Sequence, residues 1–324
     1  MNKILLGNCH EQLKTIDKHT VQTCVTSPPY WNLRDYENSE QLGLEKTPEL
    51  YVQHLVDIFH QLKRVLRKDG TLWLNLGDTY FGAKGGHYSS DNSFTNDTTG
   101  SKYRMRMKAP ERHPFLKTKD LVGIPWMAAR ALQRDGWYLR NDIIWNKPNS
   151  MPEAVKDRCV KSHEHLFLFA HPNSKGKYYF DYEAIQEEIN MKYISRYFAK
   201  NNVKERKDYG REEYTLSSEN QDKFYEKWRE KIEAGQTPKR NKRDVWEITT
   251  SSYGGKHFAV FPPKLVLPCI TAGSRKGDTV IDVFAGSGTT CQVAQELGRK
   301  WIAIELNPDY VELIKKRTAQ QQLF

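Results

Sequence analysis

A chain of 324 residues with 38% hydrophobic side chains can bury a substantial core, and this composition gives no indication of a disordered protein. The formal net charge of +10 favours a polyanionic partner. No apolar run approaches the roughly 18 residues of a membrane span, and the apolar stretch at the N-terminus is too short for a signal peptide. We therefore expect a cytoplasmic protein with no membrane partner.

The five cysteines are scattered along the chain, without the close pairs of a zinc site or a disulfide framework. We expect them to be reduced and buried. Cys159, His163 and His165 form the one cluster that could hold a metal, but strand alternation explains the two histidines equally well. We therefore expect no metal.

The N-terminal part predicts two short strands, Lys3–Leu6 and Val21–Thr26, with a helical turn at Glu11–Ile16 between them. The second strand runs into Ser27-Pro28-Pro29-Tyr30. Two successive prolines remove two N–H donors, so the strand must stop there and leave carbonyl groups outside the ladder. A hydroxyl, free carbonyls and an aromatic ring would form a polar pocket with a stacking wall. A plain Pro-Pro turn is the alternative.

A helix from Pro48 to about Leu66 and a strand at Thr71–Leu76 follow. From Tyr80 to about Lys119 the sequence is polar, glycine-rich and basic, with little periodicity, which predicts a long loop that is either functional or a disordered insertion. The basic side chains of this loop that we expect to be available for phosphates include Lys102, Arg104 and Arg106.

A second helix at Pro125–Gln133, a strand at Trp137–Trp145 and a hairpin of His165–Ala170 with Lys177–Phe180 complete the predicted sheet. From Asp181 to Arg243 basic and aromatic residues are interleaved, a composition suited to nucleic acid but also found in solvated helices. The basic side chains of this region that we expect to contact DNA are Arg196, Lys239, Arg240, Lys242 and Arg243.

The C-terminal part predicts a strand, a glycine turn and a helix around Asp282-Val283-Phe284-Ala285-Gly286-Ser287-Gly288-Thr289-Thr290. Glycine lets backbone approach a ligand closely, and the first N–H groups of the helix point towards it. The strand Lys300–Ile304 ends at Glu305, an acidic residue that suits the paired hydroxyls of a ribose. No Gly-Lys-Ser/Thr follows the turn, so a nucleoside without pyrophosphate fits better than a phosphate. A purely structural turn is the alternative.

Thr26-Ser27-Pro28-Pro29-Tyr30 and the turn Asp282–Thr290 together resemble the two motifs of the DNA amino-methyltransferases. In that family the catalytic motif reads Asp/Asn/Ser-Pro-Pro-Tyr/Phe/Trp, and the S-adenosylmethionine motif reads Asp-x-Phe-x-Gly-x-Gly. The catalytic motif comes first here, as in the permuted β group. The resemblance covers most of the chain. It implies an α/β fold, a Rossmann-like methyltransferase sheet with helices on both faces in circularly permuted order, plus an inserted target-recognition region.

The resemblance also implies a division of the chain and a set of site residues. Residues 1–182 would form the catalytic half, with a mobile loop at about 80–119, residues 183–243 the target-recognition region, and residues 244–324 the cofactor half. Catalysis is assigned to Ser27, Pro28, Pro29 and Tyr30. S-adenosyl-L-methionine is assigned to Asn8, Phe261, Pro262, Asp282, Phe284, Gly286, Gly288, Thr289 and Glu305.

The implied activity is site-specific methylation of an exocyclic amino group in double-stranded DNA, on a base flipped out of the helix. Ser-Pro-Pro-Tyr is typical of cytosine-N4 enzymes, and Asp-Pro-Pro-Tyr of adenine-N6 enzymes. We therefore favour N4 of cytosine, with N6 of adenine as the alternative. RNA amino-methyltransferases and inactive binding homologues are further alternatives.

The resemblance extends to the setting of the enzyme. It implies a restriction-modification system, whose cognate endonuclease would be a partner, and a monomer or homodimer. Pro268-Cys269 matches the nucleophile signature of cytosine-C5 methyltransferases, but it lies upstream of the glycine turn within an apolar run. We therefore expect Cys269 to be a core residue.

Overall fold

The computed structural model describes residues 2–36, 38–82, 104–105, 113–189, 226, 228–250 and 262–319. The chain divides into two compact units, Met1–Asp181 with Asp244–Phe324, and Tyr182–Arg243. The larger unit therefore contains both the N-terminal and the C-terminal segments.

An eight-stranded sheet forms the centre of the larger unit. Its strands in chain order are β1 (Lys3–Leu6), β2 (Val21–Thr26), β3 (Leu66–Leu76), β4 (Tyr138–Asn146), β5 (His163–Ala170), β6 (Val245–Glu247), β7 (Thr279–Asp282) and β8 (Lys300–Glu305). Their spatial order is β1-β8-β7-β2-β3-β5-β4-β6. All neighbours pair in parallel except β5, which is antiparallel to both β3 and β4.

Six described helices of this unit form two groups. They are α1 (Cys9–Lys14), α2 (Pro48–Val65), α3 (Ile124–Arg134), α4 (Pro263–Gly273), α5 (Thr289–Glu296) and α6 (Pro308–Ala319). Helix α2 packs against both α1 and α3, and α5 packs against both α4 and α6. All six residues of β2 are buried, as expected for a parallel strand covered on both faces. The predicted α/β sheet is thereby confirmed.

The start and the packing of α2 follow directly from its sequence. The Thr47 hydroxyl accepts a hydrogen bond from the Leu50 N–H at 3.2 Å, and Pro48 occupies the first turn, where its missing N–H costs nothing. Tyr51, Leu55 and Phe59 recur every four residues and are fully buried. This spacing places one apolar stripe on the core.

The predicted strand Lys177–Phe180 is wrong. Both edges of β5 are occupied, by β3 and by β4, so no position beside it remains for a hairpin partner. Instead, the Tyr179 N–H donates to the Asp69 carbonyl at 3.0 Å, and the Phe180 ring stacks on Trp73. The edge strand β6 and the helix α6 are structural elements that the sequence did not predict. The other predicted strands and helices of this unit are present with shifted ends, and the largest shift is at β3, which begins at Leu66 instead of the predicted Thr71.

The smaller unit contains a two-stranded antiparallel ladder between Glu187–Glu188 and Lys239–Arg240. The Glu187 carboxylate accepts hydrogen bonds from Arg240 Nε at 2.9 Å and from Arg243 Nε at 2.7 Å. Two of the basic side chains predicted to contact DNA are thus held by one carboxylate.

Other predictions fall on residues that the structure does not describe. Lys102, Arg106, Arg196 and Phe261 lie outside the described residues, as does most of the predicted loop at 80–119. Only the backbone of Arg104 is described, in a short ladder with Arg34–Asp35. Within the described ranges, no helix is long and apolar enough to cross a membrane, and no group of three His, Cys, Asp or Glu side chains could hold a metal.

Candidate active site

A cavity of about 650 Å³ opens at the edge of the sheet where the parallel strands end. One end is lined by the turn after β7 and by Glu305 at the end of β8. The other end is lined by Ser27–Tyr30 after β2 and by Lys147 after β4. Ligand sites of α/β sheets lie at this edge, and the volume is typical of pockets for small molecules. The two motifs of the sequence therefore share one cavity.

Asp282 stabilises the turn after β7 through hydrogen bonds to its carboxylate. Its carboxylate accepts hydrogen bonds from Thr26 Oγ1 at 2.6 Å, Thr290 Oγ1 at 2.7 Å and the Phe284 N–H at 3.0 Å. Burial raises the pKa of this carboxyl, and the three hydrogen bonds oppose that shift. Because both carboxylate oxygens bind protein groups, Asp282 ties β2, β7 and α5 together at the wall of the cavity.

The two glycines of this turn, Gly286 and Gly288, have different structural roles. Gly286 adopts a φ of 50°, lines the cavity, and donates its N–H to Glu305 Oε2 at 2.7 Å. Gly288 adopts a φ of 81° at the start of α5, where a Cβ would come within 3.1 Å of Ile314 on α6. Gly288 therefore permits close helix packing, whereas Gly286 brings backbone to the cavity.

Glu305 is the acidic group at the end of the cavity formed by the turn after β7, which is the end predicted from the sequence to hold the cofactor. Its side chain is buried, and besides Gly286 it accepts the Asn307 N–H at 2.9 Å. Burial raises the pKa of this carboxyl to about 7, against the lowering effect of the two backbone hydrogen bonds. Each carboxylate oxygen can still accept another hydrogen bond, because a carboxylate has about four lone-pair sites.

Of four more predicted cofactor residues, three lie on the cavity and one does not. Asn8, Phe284 and Thr289 line the cavity, whereas Pro262 is buried at the N-terminus of α4 and is not one of its lining residues. The Asn8 side chain caps α1 by accepting the His10 N–H at 2.9 Å. Its amide group thus has a structural task in addition to facing the cavity.

The Ser-Pro-Pro-Tyr segment forms the wall at the other end. The Pro29 carbonyl accepts a hydrogen bond from the Tyr51 hydroxyl at 2.8 Å. Among the described residues, no donor reaches the Pro28 carbonyl. The Ser27 hydroxyl donates to the Tyr30 oxygen at 3.4 Å, a long contact. The Ser27 hydroxyl and the Pro28 carbonyl are thus the acceptors that this segment can present.

A polar cluster behind Tyr30, made of the buried Asn75 and the partly buried Glu164 and Lys147, was not predicted from the sequence. The Tyr30 hydroxyl donates to Glu164 Oε2 at 2.6 Å, and Asn75 Nδ2 donates to both the Tyr30 oxygen and Glu164 Oε2 at 2.7 Å. Lys147 Nζ forms an ion pair with Glu164 Oε1. The signal was present in the sequence, since Asn75 and Lys147 stand at the ends of predicted strands, on the same edge as Ser27.

The charges of this cluster shift two pKa values in opposite directions. Burial acts to raise the pKa of Glu164, but the Lys147 ammonium and the hydrogen bonds outweigh it, so the pKa of Glu164 is lowered. Burial and the charge of Glu164 raise the pKa of Tyr30 well above its ordinary value. Tyr30 is therefore a neutral phenol that donates to an ionised carboxylate.

Two solved structures that share this fold are those of DNA methylases. The cytosine-N4-specific PvuII DNA methyltransferase superposes with a TM-score of 0.59 at 17% identity, over 99% of this chain and 87% of its own. A putative DNA modification methylase from Thermus thermophilus, crystallised with S-adenosyl-L-methionine, gives 0.56 at 20% identity, over 98% and 93% of the two chains. At these identities the likeness establishes the fold of a Rossmann-like methyltransferase.

Sequence comparison identifies the family. The model of the N6/N4 methyltransferases, described as DNA methylase, matches residues 21–316. The type II methyltransferase M.SmaI of Serratia marcescens is 42% identical over 99% of this chain and 91% of its own length. The chain belongs to the N6/N4 DNA methylase family, and it is a DNA methyltransferase of the restriction-modification type.

Proposed function

We propose that this DNA methyltransferase transfers a methyl group from S-adenosyl-L-methionine to N4 of cytosine at a specific site in duplex DNA. The observation that carries the proposal is the single cavity, which joins the nucleoside features at Gly286 and Glu305 to the amino-group acceptors at Ser27 and Pro28. The Ser-Pro-Pro-Tyr segment and the fold of the cytosine-N4-specific PvuII enzyme support cytosine over adenine.

The cofactor end has the chemistry that a nucleoside requires. Glu305 is a desolvated carboxylate whose present partners are backbone N–H groups, so it can still accept hydrogen bonds from two ribose hydroxyls. Gly286 lets the backbone lie against the ligand, while Phe284 and Asn8 offer an apolar face and an amide. When bound, the sulfonium of S-adenosyl-L-methionine supplies a methyl group that is already activated.

The target end would orient an amino group and withdraw its lone pair from the base. That lone pair is delocalised into the ring, which makes the amino nitrogen a poor nucleophile. Ser27 Oγ and the Pro28 carbonyl would each accept a hydrogen bond from one of its two N–H groups, favouring a tetrahedral nitrogen with a localised lone pair. Once that lone pair has formed the bond to the methyl group, one of the two amino protons passes to water. Preorganised acceptors that bind most tightly in the transition state raise the rate without a covalent intermediate.

Tyr30 would provide the wall on which the flipped base stacks. Glu164 and Asn75 hold its hydroxyl, and Gly77 lies so close to its ring that a Cβ there would be 2.5 Å from Cε2. A ring fixed in this way loses little conformational entropy when a base stacks on it. The cluster of Lys147, Glu164 and Asn75 thus positions Tyr30.

The smaller unit, within the proposed target-recognition region at 183–243, would contribute positive charge to DNA binding. Because Glu187 holds Arg240 and Arg243, we expect Lys239 to contribute more than either arginine. Substituting Lys239 by Ala should flatten the dependence of log affinity on log salt by roughly one unit if it meets one phosphate. An unchanged slope would assign the phosphate contacts to other parts of the chain.

Analysis of the methylated base tests the central proposal. The protein is expressed in a host without DNA methylation, and the host DNA is digested to nucleosides for mass spectrometry. We expect N4-methylcytosine. N6-methyladenine would overturn the choice of base and leave the site assignment standing. A product of 5-methylcytosine that disappears in Cys269→Ala would overturn both, although Cys269 is fully buried. In a parallel assay with purified nucleic acids, methyl transfer to RNA but not to duplex DNA would overturn the assignment of duplex DNA as the substrate.

A further inference from the structure

Met151 combines high exposure with a position on the active-site cavity. Its side chain is 84% exposed, the highest value among the large apolar side chains in the described part of the chain, and it lines the same cavity as Ser27 and Tyr30. A single exposed apolar residue is ordinary on a protein surface. An exposed apolar residue at the mouth of a pocket that receives a DNA base is less ordinary, because bound duplex DNA must contact the mouth of that pocket.

The loop that carries Met151 is held firmly. Both backbone groups of Thr250 bond to the Asn149 side chain, the N–H to Oδ1 at 2.8 Å and the carbonyl to Nδ2 at 3.1 Å. Pro148 and Pro152 flank the segment and restrict its backbone. Met151 is therefore presented at a defined position on the rim, while its own unbranched side chain is free to adapt.

The connection between β4 and β5, residues 147–161, contains four basic residues and two acidic ones. Lys147 is paired with Glu164, Arg158 is paired with Glu153 at 2.7 Å, and Lys161 donates a hydrogen bond to the Asp78 carbonyl. Lys156 is exposed, so it is the basic side chain of this connection that we expect to contact a phosphate. An apolar side chain and an exposed cation on one segment are the combination with which proteins enter base steps, where cations hold phosphates and an apolar side chain contacts the bases.

We propose that Met151 enters the duplex at the target step and fills the space that the flipped cytosine leaves. This inference rests on the proposed function, because only an enzyme acting on a paired base must open the helix. Flipping removes the stacking contacts of two neighbouring bases, and an apolar side chain in the gap restores part of them. Leu33, which is 45% exposed, also lines the cavity and offers a second apolar side chain there.

The test compares two duplexes that contain the site methylated by the unmodified enzyme. In one the target cytosine faces guanine, and in the other it faces an abasic position, which lowers the cost of flipping. Met151→Ala should reduce kcat/KM about tenfold or more on the paired duplex and less than about threefold on the abasic one, since an unpaired base is flipped at little cost. Met151→Leu should keep near-normal rates on both duplexes.

Val160→Ala is the matched control, because Val160 is 42% exposed on the same connection and is not one of the residues lining the cavity. It should change neither rate, and Tm should be unaltered in both alanine variants. Equal losses on the two duplexes in Met151→Ala, or no loss on the paired one, would overturn the inference. Failure of the proposed function would already show in the product of the unmodified enzyme, whereas this inference depends on the ratio between the duplexes.

Discussion

Each end of the cavity contains one glutamate, of which Glu305 is buried and Glu164 is partly buried, and the pKa values of the two are shifted in opposite directions. Glu305 at the cofactor end accepts only backbone N–H groups in the hydrogen bonds described, and burial raises its pKa to about 7. Glu164 at the target end faces Lys147, and its pKa is lowered. The type of partner, more than the depth of burial, thus decides which carboxylate is ionised in neutral solution.

The opposite shifts have opposite consequences for stability. The pKa of Glu164 is lowered on folding, so its contribution is present above its unfolded pKa and is lost as the pH falls through the folded value. The pKa of Glu305 rises from its ordinary value of 4.5 to about 7, so its contribution is present at low pH and is lost as the pH rises through about 7. A ligand that donates hydrogen bonds to Glu305 would offset that loss.

Substituting Lys147 should have the largest effect on stability, because it leaves the Glu164 carboxylate, which is largely shielded from water, without a counter-charge. We expect Lys147→Met to lower the free energy of unfolding by about 3–5 kcal/mol at neutral pH. The pKa of Glu164 should then rise, as that of Glu305 does. Denaturant unfolding at several pH values measures both effects. The double variant Lys147→Met with Glu164→Gln should recover much of the loss, and a stable single variant would contradict this account of the pair.

Removing the amino-group acceptor tests the target end without disturbing its charges. Ser27→Ala should reduce kcat about a hundredfold and leave cofactor affinity unchanged, because the lost hydrogen bond matters most as the nitrogen becomes tetrahedral. Single-turnover methylation and calorimetry with the cofactor separate these effects. Ser274→Ala, which removes a buried hydroxyl bonded to Ile270, serves as the control. A loss confined to cofactor affinity would mean that Ser27 acts on the cofactor and not on the target base.

Varying the pH tests the cofactor end. Ionised Glu305 is the better acceptor for ribose hydroxyls, so we expect affinity for S-adenosyl-L-methionine to be level above pH 7 and to fall by up to about tenfold per unit below it. Glu305→Gln should weaken binding by roughly 1–3 kcal/mol at pH 8 and abolish this dependence. Calorimetry at four pH values is sufficient. A dependence that persists in the variant would have another origin.

The smallest effect is expected when only the Tyr30 hydroxyl is removed. Tyr30→Phe keeps the ring, and Asn75 continues to donate to Glu164, so stability should fall by about 1 kcal/mol and the methylation rate only a few fold. Tyr30→Ala should cost transfer more, on the order of 1–3 kcal/mol, through lost stacking. Similar rates for the two variants would mean that the ring does not contact the base.

The sequence predicted what is local and missed what joins distant segments. The strand ends, the glycine turn and the Ser-Pro-Pro-Tyr segment each follow from a few adjacent residues, and the structure places these motifs on one cavity. The hydrogen bond between Thr26 and Asp282 joins residues that are 256 apart in the sequence, and no local sequence pattern predicts it. The role of Glu164 was not predicted for a related reason, because a polar residue within a strand is explained by the usual alternation of polar and apolar side chains. Only the packing of β3, β4 and β5 reveals it as a partner of Tyr30.

The order of strands also has a consequence for the synthesis of the chain. The strands β7 and β8 lie in the sheet between β1 and β2, which precede them in the sequence by more than 250 residues. Until residues 279–305 have emerged from the ribosome, β1 has no neighbour and β2 has one open edge. Such long-range pairing folds slowly and leaves strand edges open to aggregation in the meantime. The nascent chain should therefore depend on chaperones until β7 and β8 are complete, and a truncation before β7 should yield insoluble protein.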